Sequence, residues 1–344
     1  MKSIFRATTP ADADCISGLL ATVFGAASDL SLMSREAMFW KYWSPHPFWE
    51  GSRSYVLECQ GRVVAHGAVV PQWCRWGTRR FRSFHLIDWA ALGDAPGSGV
   101  SLFRRALQLA DAGWVVGGSD MTQRVLPTLG FREVGKATRY VRPLHPLRRL
   151  AGLEDKTWRS LAQFSRSVLW AVQAPSLAYN GVAIPWSPDS TREAWPLPTA
   201  GASSAIFERT PELFTFFQSC PLIQTRLFGL ELNSAARGYF LLATLPGQVR
   251  IADCWLESNR ASHWRDLYLA AVAQAYSSNE AAEVVTVVSD DLQRNALRQA
   301  GFHARGDYPI RFLSKDPALS QVPALRCELF DSDAVYLDSG RFWA

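Results

Sequence analysis

Hydrophobic and polar positions along the first 145 residues follow two periods, alternation typical of strands and the three-to-four spacing typical of amphipathic helices. The predicted elements are, in chain order, a strand at 3–7, a helix through Ile16 and Phe24, strands at 54–59, 62–75 and 81–92, a helix at 99–111, a strand at 114–119, a short helix at 121–129 and a strand at 137–143. This order predicts a mixed α/β domain.

The second half of the chain repeats the order of the first. A hairpin is predicted at 238–256, followed by a helix, a strand through EVVTVVS and a helix through DLQRNALRQA. The hexapeptide at 119–124, Ser-Asp-x-x-Gln-Arg, recurs at 289–294, and each copy is followed by Gly-Phe. An internal duplication explains this repetition. We therefore predict tandem domains at 1–145 and 201–344, joined by a helical and Pro-rich connector at 146–200.

Composition sets broad limits on function. The length of 344 residues agrees with two domains. Lys and Arg exceed Asp and Glu by only 36 to 31 and are dispersed, so we expect no nucleic-acid partner. No apolar run approaches the ~18 residues of a membrane span.

The start of the chain has no apolar signal-peptide core, and the expected location is the cytoplasm. Six separated cysteines without metal-ligand spacing indicate buried free thiols, and we expect no metal. The oligomeric state is not predicted.

One segment carries candidate chemistry. HLIDWAALGDAPGSGVSLFRRAL, at 85–107, passes from a buried run through a Gly-containing loop into a helix. Amides at a helix start suit a pyrophosphate, and Gly97 and Gly99 allow close approach of the backbone, although glycines also serve an ordinary sharp turn. The corresponding loop of the second half, LESNRASHWRD, has no glycine. The fold itself does not require these glycines, so a phosphate cradle is the better explanation.

These segments resemble the acetyltransferase superfamily related to yeast GCN5, called GNAT. The resemblance rests on LIDWAAL, PGSGVSLFRRAL, VVGGSD and VLPTLGF. In the family signature R/Q-x-x-G-x-G/A, Gly99 takes the first glycine position, whereas Pro96 and Ser101 depart from the pattern. The resemblance implies tandem acyl-CoA N-acyltransferase domains of the α/β class with a mixed sheet. The glycine-free second copy is then degenerate.

The resemblance also implies where acetyl-CoA, or another acyl-CoA, binds. The strands at 85–92 and 114–119 would splay apart and admit the acyl-pantetheine arm, with Gly117 and Gly118 making room. Asp94 would oppose the phosphates. The implied cofactor-binding residues are Ala90, Ala91, Leu92, Gly97, Ser98, Gly99, Val100, Ser101, Ser119 and Asp120. Ser119 and Asp120 also fit a helix cap, because the pair recurs in the half without the loop.

Acyl transfer to an amine requires a base, and two residues are candidates. Asp88 is the first choice, since a carboxylate within an apolar strand is expected to have a raised pKa; the alternative is a structural carboxylate bonded to a neighbouring loop. His85 is either a satisfied core histidine or a base. Strand alternation places the two on opposite faces unless a bulge intervenes. Many family members carry a Tyr acid where Leu126 stands here, and Tyr140 is the candidate that replaces it.

The expected function is therefore an N-acyltransferase, most simply an acetyltransferase, acting on a small-molecule primary amine. Similarity to bacterial members associated with surface polysaccharide suggests an amino sugar as acceptor. An acyl-carrier protein remains an alternative donor. The competing hypothesis is a non-catalytic GNAT-fold protein that serves binding or assembly.

Overall fold

The computed structural model of the chain describes residues 3–25, 30–151, 158–188, 195–233, 236–277 and 281–337. Parts of the expected connector, at 152–157 and 189–194, lie outside these residues.

In both halves the predicted strands and helices occur in the predicted order, and each half has a run of three consecutive strands. The strands are β1 (Ser3–Ala7), β2 (Ser54–Cys59), β3 (Arg62–Trp76), β4 (Arg79–Ala91), β5 (Ala112–Val116), β6 (Arg132–Pro143), β7 (Val182–Pro185), β8 (Ile206–Phe207), β9 (Gln224–Leu232), β10 (Ala236–Leu245), β11 (Gln248–Leu256), β12 (Glu283–Val288) and β13 (His303–Ser314). The helices are α1 (Ala13–Phe24), α2 (Arg35–Met38), α3 (Ser98–Ala106), α4 (Asp120–Thr128), α5 (Pro146–Ala151), α6 (Trp158–Gln173), α7 (Pro211–Gln218), α8 (Ala261–Ser277) and α9 (Asp291–Gln299). A π-helical turn at Phe39–Trp43 continues α2.

Two predicted boundaries near the loop are wrong. The helix expected to reach residue 111 ends at Ala106, because the chain turns there to bring Ala112 beside Ser83 of β4. The strand expected to reach residue 119 ends at Val116. Gly117 and Gly118 follow with φ of 68° and 95°, a left-handed conformation that a strand does not continue through.

The strands form one mixed sheet in the order β1-β2-β3-β4-β5-β13-β6-β12-β11-β10-β9-β7, with β8 paired to β3. The two halves exchange their last strands within it. β13, from the end of the second half, pairs antiparallel with β5 of the first, and β6, from the end of the first half, pairs antiparallel with β12 of the second. β6 and β13 also pair with each other at the centre. The halves therefore share a continuous hydrogen-bonded ladder.

The hydrophobic core follows the same continuity. One buried cluster contains Trp114 of β5 together with Phe207 of β8 and Tyr239 of β10, so it draws on both halves. A second cluster packs α8 on the sheet of the second half, around Trp264 and Tyr268. Helix α3 packs on β2, β3 and β4 in the first half, and its Phe103 belongs to a third buried cluster.

The structure bears on the expectations about cysteines, metal ions and membrane spans. Four cysteines are buried, but Cys15 is exposed and Cys59 is half-buried, so the expectation that all six are buried is wrong. Within the described ranges, no three His, Cys, Asp or Glu side chains cluster in a way that could hold a metal ion. Among the helices described, none is long and apolar enough to span a membrane.

The strand exchange predicts how the protein unfolds. Because neither half keeps a complete sheet when the other opens, we expect one cooperative thermal transition, with a calorimetric enthalpy equal to the van't Hoff enthalpy. Differential scanning calorimetry measures both. Two separate transitions, one for each half, would contradict this expectation.

Candidate functional site

A cleft opens where β4 and β5 part. The two strands pair in parallel over only three residue pairs, Ser83 with Ala112, Phe84 with Gly113 and His85 with Trp114. Beyond the last pair the strands diverge around a cavity of about 480 Å³. The splay expected from the sequence is thus observed. Its walls include residues of β4, β5, α4, β13 and the C-terminal segment, among them His85, Asp88, Val116, Ser119, Tyr308 and Asp333.

A β-bulge breaks β4 at the cleft. Ile87 pairs with Ala68 of β3 and Ala90 pairs with His66, so Asp88 and Trp89 together oppose the single residue Gly67. Asp88 has a φ of 49°, which non-glycine residues adopt infrequently and Asp tolerates better than most. The bulge interrupts the strand alternation, and His85 and Asp88 both line the cleft, together with the residues between them.

The Asp88 side chain is held by the π-helical turn. Its Oδ2 accepts hydrogen bonds from Lys41 Nζ at 2.9 Å and Tyr42 Oη at 2.6 Å. The Asp88 backbone carbonyl accepts a third bond, from His66 Nδ1 at 3.1 Å. Lys41 is buried, with 3% of its side chain exposed, against 18% for Asp88. These bonds stabilise the left-handed residue and fix the bulge.

The expectation of a raised pKa for Asp88 is wrong. Burial alone would raise the pKa of this carboxyl, but the Lys41 ammonium and the Tyr42 hydroxyl outweigh burial and lower it below its ordinary value. Burial lowers the pKa of neighbouring His66 to about 4, so this imidazole is neutral. A carboxylate that already has two donors and a low pKa is a weak proton acceptor. The geometry therefore favours the structural alternative for Asp88.

His85 lies at the base of the cleft, in the last pair before the strands part. Its ring stacks on Trp114 at 4.7 Å between centroids, and its Nδ1 lies 3.2 Å from the Trp114 carbonyl oxygen. A carbonyl only accepts, so Nδ1 carries the proton. In the neutral ring Nε2 then has the free lone pair, and it lies 3.8 Å from Oδ1 of Asp333. His85 is buried as the core interpretation requires, yet its Nε2 faces Asp333 and has no hydrogen bond among the described contacts.

The glycine-containing loop contributes differently from expectation. Gly97 has a left-handed φ of 79° at the start of α3, so glycine is favoured here by the turn itself. A Cβ on Gly99 would lie 3.1 Å from the Cβ of Ala91 and 3.2 Å from Nε1 of Trp89, so this glycine allows α3 to pack on β4. Trp89 Nε1 also donates to the Gly99 carbonyl at 3.0 Å. Ser98 is buried. What this loop offers a phosphate is the first amides of α3.

Asp94, expected to oppose phosphates, is paired. Arg62 Nη1 donates to its Oδ2 at 2.8 Å, and both side chains are about 60% exposed. The pair cancels the local negative charge.

The remaining expected cofactor residues separate into two groups. Ser119 lines the cleft and is the N-cap of α4, where its Oγ accepts from the Thr122 amide at 3.2 Å. The helix-capping interpretation of Ser119 is confirmed. The residues that do not line the cavity follow the bulge along β4, enter α3 or begin α4; they are Ala90, Ala91, Leu92, Gly97, Ser98, Gly99, Val100, Ser101 and Asp120.

The structure does not bring Tyr140 to the cleft. Strand exchange moves β6 away from β5 and places it beside β12, where Tyr140 is fully buried in the cluster around α8. β13 takes the place next to β5, and its Tyr308 lines the cleft instead. Leu126, at the family position of the acid, is a fully buried core residue.

The second half contains a matching cleft that the chain itself fills. β11 and β12 also pair in parallel over three residue pairs, from Gln248 with Glu283 to Arg250 with Val285, and then part. Glu328 of the chain itself lies between them. It forms an antiparallel bridge with Val288 of β12, and its Oε2 accepts from the Cys254 amide of β11 at 3.2 Å. The preceding residues pair with Ala205 instead, where the Arg326 amide donates to the Ala205 carbonyl at 2.8 Å.

The bulge also recurs in the second half. The register of β10 with β11 shifts next to Asp253, which accepts from Tyr239 Oη at 2.6 Å and from Arg209 Nε at 2.9 Å. Each half therefore holds a carboxylate at the bulge with one phenol and one cation. Because the set occurs in both halves, it does not depend on the glycine-containing loop.

Sequence reasoning did not identify Lys41, Tyr42, Tyr308 or Asp333 as site residues. The available signal for Lys41 was a cation inside the aromatic stretch Phe39–Trp43. Asp333 lies 248 positions after His85, and no local pattern relates the two.

Comparisons with known proteins agree on the fold. No model of a protein family matches the sequence, and no curated protein matches it significantly. Among solved structures, a GCN5-related N-acetyltransferase from Anabaena variabilis superposes with a TM-score of 0.57 at 12% identity, covering 90% of this chain and 72% of that one.

Two other solved structures extend this result. The N-myristoyltransferase of Saccharomyces cerevisiae, with bound myristoyl-CoA, gives a TM-score of 0.56 at 12% identity, covering 90% of this chain and 80% of that one. A tandem GNAT protein from the clavulanic acid biosynthesis pathway gives 0.53 at 13% identity, covering 92% and 99%. At such identities the likeness shows the fold, and the expected mixed α/β GNAT architecture is confirmed.

The Asp88 contacts predict a loss of stability on substitution. Asp88→Ala leaves the buried Lys41 ammonium without its carboxylate, and we expect the free energy of unfolding to fall by about 3 kcal/mol, at the low end for breaking a buried ion pair. Chemical denaturation measures it. Asp94→Ala, which removes an exposed pair, is the control, with an expected loss below about 1 kcal/mol. Equal losses of unfolding free energy in Asp88→Ala and Asp94→Ala would contradict the assignment of Asp88 to a buried ion pair.

The lowered pKa of Asp88 sets the pH range of this difference. The carboxylate stabilises the fold above its unfolded pKa of about 4, and its contribution is lost as pH falls through the lower folded pKa. The gap between wild type and Asp88→Ala should therefore be full at neutral pH and shrink below about pH 4.

Proposed function

We propose that the protein is an N-acyltransferase that transfers an acyl group from acyl-CoA, in the simplest case acetyl-CoA, to a primary amine. The observation that carries this proposal is the cleft between β4 and β5, whose counterpart in the second half holds Glu328 of the chain itself. The first cleft has the same form and its cavity is open. Solved acyltransferases with the same fold, one with bound myristoyl-CoA, support the reaction class.

The edges of the cleft suit a pantetheine arm. Beyond His85 and Trp114 the facing backbone edges of β4 and β5 no longer pair with each other, and their amides and carbonyls require partners. A chain with its own amide groups can supply them, as Glu328 does in part in the second half through its bridge with Val288 and its carboxylate on the Cys254 amide. The start of α3 offers amides and a positive dipole end for the pyrophosphate. The acyl-CoA supplies the activated carbonyl.

His85 is the residue we assign as base. The amine nitrogen must lose a proton as it bonds to the thioester carbonyl carbon and the carbon–sulfur bond breaks. His85 Nε2 receives that proton, and the imidazolium returns it to the departing thiolate, so no proton is gained or lost overall. Its location at the base of the cleft fits this role. Asp88 fixes the bulge, whose backbone amides are the candidates for polarising the carbonyl.

The proposal commits to a primary amine and to one working site. An amino sugar acceptor, suggested by the sequence resemblance, gains no support from the comparisons. The second copy, expected to be degenerate, lacks the glycines of the loop, and its cleft is filled by the chain itself. We therefore assign catalysis to the first half.

A binding experiment tests the site. Isothermal titration of the wild type with acetyl-CoA, and with longer acyl-CoAs, should give one site per chain. Thr122 lines the cleft from α4, and Thr122→Trp should fill it and abolish binding. Arg124→Trp adds the same side chain at an exposed position of α4 and should bind as wild type does. Two sites per chain, or binding by Thr122→Trp, would place the cofactor elsewhere.

Failure of the wild type to bind any acyl-CoA would exclude the enzyme and favour the non-catalytic alternative.

A kinetic experiment tests the base. His85→Gln keeps a polar side chain of similar length but removes the basic nitrogen, and we expect kcat to fall about 10²–10⁴-fold with little change in acyl-CoA affinity. Release of free thiol in the presence of a panel of primary amines measures turnover. His263→Gln, on α8 of the second half, is the control and should retain full activity. Unchanged kcat in His85→Gln would exclude this residue as base.

A further inference from the structure

The C-terminal segment connects the two clefts. After Glu328 enters the second cleft, two 3₁₀ turns at Leu329–Asp331 and Asp333–Val335 carry the chain to the first cleft. There Ser332, Asp333, Ala334 and Leu337 form part of the wall. The segment is thus anchored in one half and contributes side chains to the other.

We propose that Asp333 is a positioning residue for His85, and that the second cleft has become the anchor that delivers it. The inference rests on the proposed function and extends it by assigning a role to the second copy. The residue acts through His85 and need not touch the acyl-CoA or the amine.

The geometry of the pair supports this role. His85 Nδ1 is committed to the Trp114 carbonyl, so the ring cannot turn without losing that bond and its stacking contact. Nε2, the nitrogen that takes up a proton, is the one that faces Asp333, at 3.8 Å from Oδ1. A carboxylate at that distance stabilises the imidazolium that forms during transfer. The pair is enclosed, with 5% of the His85 and 20% of the Asp333 side chain exposed.

The other ionisable groups of the cleft do not replace Asp333. Lys41 and Asp88 are paired with each other through a 2.9 Å contact. Tyr308, from β13, has a pKa raised by burial, and burial also raises the pKa of Tyr336, beside Asp333, well above its ordinary value. Both phenols stay neutral through the pH range in which an imidazole titrates. Asp333 is therefore the carboxylate next to Nε2 of His85. It has no Lys or Arg partner among the described contacts.

The anchor consists of several independent contacts. Ser289 Oγ accepts from the Cys327 amide at 2.8 Å and lies 3.4 Å from the Leu325 carbonyl. Glu328 Oε1 accepts from Gln293 Nε2 at 2.9 Å and from Arg326 Nη2 at 3.1 Å. Glu328 is buried, so these bonds replace water that the carboxylate has lost.

The anchor also fixes the path of the chain after it. The Glu328 amide donates to Oδ2 of Asp331 at 2.8 Å, which closes the first 3₁₀ turn. The amides of Tyr336 and Leu337 then donate to the Asp333 carbonyl at 3.1 and 3.2 Å. The backbone of Asp333 is thus constrained on both sides.

A pH profile tests the positioning role. With Asp333→Asn, the imidazolium that forms on His85 during transfer loses the carboxylate that faces it at 3.8 Å. We expect the acidic limb of the kcat/KM profile to move down by about 1 pH unit. We also expect kcat at neutral pH to fall about tenfold with an unchanged KM for acyl-CoA. Asp333→Glu, which restores the charge, should recover part of the loss and the original limb.

The control is Asp291→Asn, an exposed carboxylate on α9, which should match the wild type in both readouts. An Asp333→Asn profile that coincides with the wild type overturns the inference while leaving the acyltransferase intact. Absence of acyl transfer in the wild type overturns the proposed function first.

A second variant tests the anchor. Ser289→Ala removes the two Oγ contacts within the second cleft, and we expect faster hydrogen exchange across 325–337 together with a several-fold lower kcat. Ser277→Ala, at the exposed end of α8, should change neither. Unchanged exchange in Ser289→Ala, or faster exchange with an unaltered kcat, overturns the anchoring role.

Discussion

The parallel pairing of β4 with β5 stops after three residue pairs, and the backbone edges beyond that point require partners that the sheet does not provide. The same constraint holds for β11 and β12. In the second half Glu328 meets part of it, with a bridge to Val288 and a carboxylate that accepts from the Cys254 amide. In the first half the cavity is open, and an extended substrate with amide groups fits the need. The two halves therefore solve one problem in different ways.

The bulge and the strand exchange follow from the same architecture. Each half kinks the strand beside its cleft and holds a carboxylate there, Asp88 with Lys41 and Tyr42, and Asp253 with Arg209 and Tyr239. Exchange of β6 and β13 then joins the halves and supplies a wall of the first cleft from the far end of the chain. The first cleft is thus built from both copies.

Local patterns in the sequence predicted most of the fold. Alternation located β2, β3 and β4, and the repeated hexapeptide revealed the duplication. The lowering of the Asp88 pKa could not be predicted from the sequence. Lys41 lies 47 positions away, and only the π-helical turn brings it near Asp88. The prediction that Tyr140 lies in the cleft was wrong because the pairing partners of β6 depend on strand exchange. Hydrophobic periodicity does not encode that exchange. The contact of Asp333 with His85 was inaccessible for the same reason.

The strand exchange has a consequence for how the protein is made. During synthesis, β5 leaves the ribosome almost 190 residues before its neighbour β13, and the segment that carries Asp333 emerges later still. Until then the nascent chain exposes an unpaired strand edge of the kind that invites aggregation. The first half, although translated first, completes its cleft only after β13 and the segment with Asp333 have been synthesised. The half that is synthesised first is therefore not the half that can be completed first.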